Sequence, residues 1–325
     1  AQAPWLAGPA DSARSDATPL SSMAKRMGSG GRLLLARQKA AKAGAARRAK
    51  GPPKAHGRSA PQGGSRARVL REEERRMSRV LTFGRTSRPT AIVVMLHGLN
   101  DSAACCAEGV AEKWAKGLPG ALVAVPQSPD RSHWSSPGEE PGYDWLRQRG
   151  AQDTDDWAAN VRELQRVTRA RVRQLDRWLA RLLRRHRLSE ERLVLAGFSQ
   201  GAVLAAVAGA RRRALGVVVC GGVPIQPVYS RRENDYIGTA GWMDWEDLIP
   251  RSAALGPRPT KFCAVNGTRD CVVPRGPNEA LLAPFDTFWH WDRGVGHDFP
   301  DRWYAVALRW MRRLLREAPP AGGAS

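Results

Sequence analysis

Gly197-Phe198-Ser199-Gln200-Gly201 is the segment best suited to chemistry. A serine hydroxyl is a poor nucleophile at neutral pH and needs a base beside it. A G-x-S-x-G string has chemical meaning where a strand enters it and a helix leaves it. Both are expected here: Leu193-Val194-Leu195-Ala196 precedes it, and the small-residue run Ala202–Ala210 follows. The turn between them must be sharp, so the positions two residues either side of Ser199 must be tiny. The serine then projects from the sheet end, at a helix N-terminus whose unpaired N–H groups favour developing negative charge.

Six histidines compete for the role of base. His297 is best placed, in the loop Gly294-Val295-Gly296-His297-Asp298 between the last expected strand and the last expected helix. In strand–turn–helix sites of this kind the chain order is serine, acid, histidine. His297 obeys it as the last histidine. His290 reads as a packed strand residue, His186 ends a basic helix and His56 lies in the N-terminal tail. His133 lies in a polar loop but precedes Ser199.

The acid should follow a strand between Ser199 and His297. Lys261–Val265 is that strand, and Asp270 closes the turn after it. It would hold the imidazole in one tautomer and stabilise its cation. Asp286 and Asp292 are the runners-up; Asp298 is too close to His297 in sequence. An oxyanion formed at Ser199 needs two donors. One is the N–H of Gln200; the other is expected from Leu99, in the loop His97-Gly98-Leu99-Asn100 after an early strand.

These residues need a sheet to carry them. Arg79–Phe83, Ala91–Leu96, Ala121–Val125, Arg192–Ala196, Leu215–Cys220, Lys261–Val265 and Thr287–Trp291 read as strands. The continuous apolar runs among them suit strands buried on both faces. Helical spacing places Trp157, Val161, Leu164, Val167, Leu175, Trp178, Leu179 and Leu182 on one face of a helix over 154–186. Asp153 or Thr154 is expected to cap it. Further helices are expected over Gln200–Arg211 and Asp301–Arg316. Strands alternating with helices predict an α/β architecture with a mostly parallel central sheet covered on both faces. Residues 227–259 read as an insertion, with a short helix over Gly241–Leu248 and loop elsewhere.

Charge divides the chain. The net charge is +21, and residues 1–69 hold 14 Lys/Arg against two Asp/Glu. Residues 1–70 are expected to be a disordered basic tail, too poor in apolar residues to offset their ordering entropy. Its Arg- and Ala-rich, acid-poor composition also fits a mitochondrial or plastid transit peptide; otherwise a cytoplasmic location is expected. No apolar run approaches the ~20 residues a bilayer span takes. The five cysteines form no disulfide framework or zinc-ligand spacing, so free thiols and no metal are expected. No cofactor is expected, since a serine triad needs none. The tail could touch an anionic membrane, but no motif accompanies its charge that would make nucleic acid a specific partner.

Leu96–Ser102 (LHGLNDS), Ala196–Ala205 (AGFSQGAVLA), Asn266–Pro274 (NGTRDCVVP) and Gly294–Pro300 (GVGHDFP) resemble the phospholipase/carboxylesterase family. That family includes acyl-protein thioesterases and lysophospholipases. The likeness spans residues 79–316 and implies an α/β-hydrolase fold acting on carboxylic esters or acyl thioesters. It implies Ser199, Asp270 and His297 as the triad, with Leu99 and Gln200 as oxyanion donors. Implied substrates are small acyl esters, lysophospholipids or S-acylated proteins. Tyr143-Asp144-Trp145 occupies the family's aromatic–acid segment near the acyl site. Trp145, Trp242 and Trp245 are candidates for acyl-chain contact. The family usually has Gly where this chain has Asn100, and His-Gly where it has Asn266-Gly267. Residues 79–316 are taken as one hydrolase domain and 317–325 as a disordered end. Oligomeric state is not encoded in any of these patterns.

Overall fold

The computed structural model describes residues 79–132, 141–146, 157–222, 227–230, 235–239, 248, 259–270, 272–273 and 275–319. The basic tail, His133, the expected cap at Asp153 or Thr154, Trp242, Trp245 and Cys271 lie outside the described residues. So does nearly all of the short helix expected over Gly241–Leu248.

The chain opens with β1 (Val80–Gly84) and β2 (Ala91–Leu96). After β2 come a short helix α1 (Ala103–Cys106), a π-helical turn (Ala107–Ala111) and α2 (Glu112–Gly117). Next are β3 (Ala121–Pro126), β4 (Asp130–Arg131) and β5 (Tyr143–Asp144). The long helix α3 (Trp157–His186) leads into β6 (Leu193–Phe198), α4 (Gln200–Arg212) and β7 (Gly216–Cys220). A hairpin of β8 (Pro227–Ser230) and β9 (Asp235–Thr239) precedes β10 (Lys261–Gly267). Helix α5 (Arg275–Leu282), β11 (Thr287–Asp292) and α6 (Asp301–Glu317) complete it.

Seven strands form one sheet in the order β1-β3-β2-β6-β7-β10-β11. Only β1 is antiparallel to its neighbour; the other five pairings are parallel. Side chains alternate between two cores, as a period of two demands. Ile92, Val94 and Leu96 of β2 face α3 and α4, together with Leu195, Val217 and Ala264. Ala91, Val93 and Met95 face α2 and α6, together with Val194, Val218 and Val265. Both faces are thus covered, which is why these strands lack polar positions.

Helix α4 is buried along Gln200–Ala210, and its small residues let it lie close to β6 and β7. A Cβ on Gly209 would approach Val217 Cγ2 to 2.2 Å, so even a methyl is excluded there. α3 carries its apolar stripe inward through Leu164, Val172, Leu175 and Leu179. Its outer face is arginine, as the sequence pattern implies.

The structure extends or trims the expected strands by one or two residues. It also corrects the reading of residues 227–239 as loop: β8 and β9 pair antiparallel there, with an irregularity between Val228 and Tyr229. Two polar, turn-rich segments gave no apolar alternation from which to read that hairpin. Helices α1, α2 and α5 are further additions to the elements expected from sequence. Their apolar positions are few, and Gly276 and Pro277 interrupt the pattern of α5.

Candidate active site

Parallel strands end together, so the loops at their carboxyl ends converge. β6 delivers Ser199, β10 delivers Asp270, and the β11–α6 loop delivers His297. His297 Nε2 lies 3.0 Å from Ser199 Oγ, and its Nδ1 lies 2.9 Å from Asp270 Oδ2. An ionised carboxylate only accepts, so Nδ1–H donates to Asp270 and Nε2 is left to accept the Ser199 proton. Three residues separated by up to 98 positions thus form one continuous hydrogen-bonded chain.

Ser199 adopts φ 52° and ψ −118°, a region that non-glycine residues rarely occupy. The strain is held by the packing around it. A Cβ on Gly197 would come within 2.2 Å of the Gly201 carbonyl carbon. One on Gly201 would come within 2.2 Å of the Leu96 carbonyl oxygen. Both positions therefore exclude any side chain, and the elbow can be as tight as a projecting nucleophile requires. The Ser199 N–H donates to the Cys220 carbonyl at 3.0 Å, tying the elbow to β7.

Asp270 is fixed independently of His297. Its Oδ1 accepts from the N–H groups of Val272 and Val273, each at 2.9 Å. Its side chain is fully buried, and that of His297 is 12% exposed. Oδ2 therefore has one task left, to face the imidazole. The other acids are engaged elsewhere. Asp292 Oδ2 is held by Arg302 and by the Trp303 indole N–H. Asp286 is exposed near Lys261. Asp298 caps its own turn through the Phe299 N–H. The His297 ring stacks on Phe198 at 5.2 Å between centroids, and Phe198 stacks in turn on Phe299 at 5.1 Å. Those aromatics restrict the imidazole to the plane in which both nitrogens find partners.

The β2 loop, with Leu99, lies against the same elbow. Gly98 packs on Phe198, since a Cβ there would sit 3.1 Å from the Phe198 ring. The Gln200 N–H is in the first turn of α4, where backbone donors lack helical partners. The structure thus brings the Leu99 loop and the start of α4 together beside Ser199.

Trp145 is not where an acyl-chain contact would be. It is fully buried, and its indole N–H donates to the His97 carbonyl at 3.1 Å. Its ring lies 5.0 Å from the His97 imidazole. An aromatic residue beside an acid near the site suggested groove lining. The large ring and its polar N–H are instead used to brace the loop from beneath. Trp242, the other candidate contact, is outside the described residues.

Several supporting residues have no local sequence signal. The Gln200 side chain accepts from the N–H groups of Trp145 and Leu146, both at 3.1 Å. Asp144 Oδ1 accepts from the Asn100 N–H at 3.0 Å, pinning the loop that carries Leu99. Arg171 of α3 donates to the Trp145 carbonyl at 3.1 Å and pairs with Asp130 at 2.6 Å. Each partner is 26 to 55 residues away, so only the fold reveals them.

His97 is the most deeply placed of these. It is fully buried; Nδ1–H donates to the Gly98 carbonyl at 2.9 Å. Nε2 accepts from the Ser128 N–H and the Gln127 amide, both at 3.1 Å. Those donors demand a neutral imidazole. Burial pushes its pKa below the ordinary histidine value, and Asp101 and the Gly98 carbonyl oppose this only in part. The unfolded chain takes up the proton near pH ~6.5 and the folded one does not. Stability should therefore fall as pH drops through that value, by at most ~1.4 kcal/mol per pH unit from this residue, levelling off below its folded pKa. Urea midpoints measured from neutral to mildly acidic pH should show a shallower decline in His97→Gln than in wild type. Identical slopes would refute the assignment.

The parallel sheet, the strained serine elbow and the hydrogen-bonded Ser–His–Asp chain have the arrangement of the α/β-hydrolase fold. A family model described as phospholipase/carboxylesterase matches residues 82–240. That segment of the chain is therefore similar to the phospholipase/carboxylesterase family. The crystal structure of esterase PE8 is similar in fold, with a TM-score of 0.53 at 20% identity, covering 72% of this chain and 97% of that one. TT1662 from Thermus thermophilus gives 0.51 at 22% identity, covering 74% and 94%. No curated protein matches the sequence significantly.

Proposed function

We propose that the protein is a serine hydrolase that cleaves carboxylic esters or acyl thioesters through an acyl-enzyme intermediate. The single observation that carries this reading is the unbroken relay from Ser199 Oγ through His297 to Asp270. In the first half-reaction Ser199 Oγ attacks the acyl carbonyl carbon while His297 Nε2 takes its proton. The tetrahedral oxyanion is met by the N–H groups of Leu99 and Gln200. Collapse expels the alcohol or thiol, which receives the proton from His297 as the acyl–serine ester forms. Water then attacks that ester, His297 again serving as base, and the carboxylic acid leaves. Asp270 keeps Nδ1–H in place and stabilises the imidazolium at both stages without itself taking the proton.

The family resemblance extends the substrate range to lysophospholipids and S-acylated proteins. The test is a matched series of p-nitrophenyl esters and S-acyl thioesters, from acetyl to palmitoyl, under pre-steady-state conditions. A burst of leaving group, stoichiometric with enzyme, is expected for at least one acyl length. Absence of turnover above the protein-free rate across both series would sink the proposal.

A further inference from the structure

Away from the reacting groups, at the amino ends of the strands, the molecule has a second concavity of about 270 Å³. Its walls include Leu118, Pro119 and Leu315, and three arginines line it: Arg192, Arg312 and Arg316. No carboxylate lines it among the described residues. Arg192 ends the turn before β6 and is only 9% exposed. One Nη reaches the Leu315 carbonyl at 3.4 Å, and its buried Nε has no hydrogen-bond partner among the described residues. Arg312 spends its Nε on the Gly117 carbonyl at 2.8 Å. Arg316 stands one helical turn further along α6, where two like charges repel. Of the carboxylates on the flanking elements, Glu190 holds Arg212 and Glu317 lies 3.8 Å from Lys261.

A buried guanidinium with an unused donor is expensive unless an anion meets it. Arg192 is such a group, and the exposed Arg312 and Arg316 bring two more cations to the same cavity. We propose that this cavity binds a small phosphate monoester, its phosphate held by Arg192, Arg312 and Arg316 and its organic part by Leu118, Pro119 and Leu315. Arginine forks match phosphate oxygens in bidentate geometry, and the pairing is charge-assisted. A bare phosphate would fill only part of the volume, which is why the ligand carries an apolar group. The site is separate from the hydrolytic one. β6 runs six residues from Arg192 before reaching Ser199, a rise of ~20 Å. Binding would tie the start of β6 to the last turns of α6. The far ends of those two elements adjoin Ser199 and His297.

The test uses the full-length protein, titrated with inorganic phosphate and with phenyl phosphate against sodium chloride at matched ionic strength. Calorimetry and the thermal midpoint are the readouts. Both phosphates should bind saturably and raise Tm, phenyl phosphate more tightly. Arg192→Gln and Arg316→Gln should each weaken binding by at least ~tenfold, the loss of one charge-assisted pair. Arg316 is exposed on α6, so its variant tests the site even if Arg192→Gln fails to fold. No saturable effect beyond chloride would overturn the proposal. So would undiminished affinity in Arg316→Gln, or phenyl phosphate binding no tighter than inorganic phosphate.

Discussion

Ser199→Ala is expected to lower kcat for acyl ester hydrolysis by at least ~10⁴-fold while leaving the fold intact. In the proposed mechanism the hydroxyl forms the covalent intermediate, and among the described residues no other nucleophile lies on the His297 imidazole. Alanine accepts the same backbone as serine, and the packing that imposes φ 52° comes from Gly197, Gly201 and the Cys220 carbonyl rather than from the hydroxyl. Circular dichroism and the thermal midpoint should therefore match wild type. The oxyanion donors and the binding surface survive, so a residual rate above that in water is expected. A variant that keeps more than a tenth of wild-type kcat would show that the nucleophile is elsewhere.

Asp270→Asn should lower kcat by ~10⁴-fold, nearly as much, by a different route. The asparagine oxygen can still accept from Val272 and Val273, so the turn after β10 keeps its shape. The amide nitrogen then faces His297 Nδ1 where a carboxylate oxygen stood. Two donors cannot share that contact, so the imidazole is driven to the tautomer with hydrogen on Nε2. In that form it cannot take the Ser199 proton. KM should change little, because Asp270 is buried behind the histidine and touches no substrate. Asp286→Asn and Asp292→Asn are the controls, since both residues were rivals by sequence position. Asp286 is exposed and should be silent. Asp292 anchors Arg302 and Trp303 at the start of α6, so its loss should register in stability more than in kcat. A full-rate Asp270→Asn enzyme would remove the acid from the relay.

The arrangement of Ser199, His297 and Asp270 is legible in the sequence because chain order and strand position constrain it so strongly. A buried parallel strand must be apolar on both faces, so Ala91–Leu96 and Leu193–Ala196 announce themselves. The polar residues that follow such runs must then lie at the carboxyl edge. Ser199 and Asp270 each follow a run of this kind, whereas His297 follows the half-exposed edge strand β11 and is marked by its place in the chain order. The supporting residues could not be found this way. By sequence alone His97 is part of a glycine-bearing turn and Gln200 is the donor of a backbone N–H. Their side chains matter through partners such as Ser128 and Trp145, which local patterns do not bring together. Trp145 shows the opposite error: its type and neighbourhood suggested ligand contact, whereas its ring completes the core beneath the loop. The β8–β9 hairpin is not legible because neither PVYS nor DYIGT alternates apolar and polar residues cleanly.

The central claim is that residue 199 bears a hydroxyl activated by its surroundings, and covalent labelling tests this most directly. Wild-type protein should react with an active-serine fluorophosphonate, and mass spectrometry should place the adduct on the peptide containing Ser199. His297→Ala should label far more slowly, since the base would be gone. An adduct on any other residue, or equal labelling rates in wild type and His297→Ala, would contradict the account.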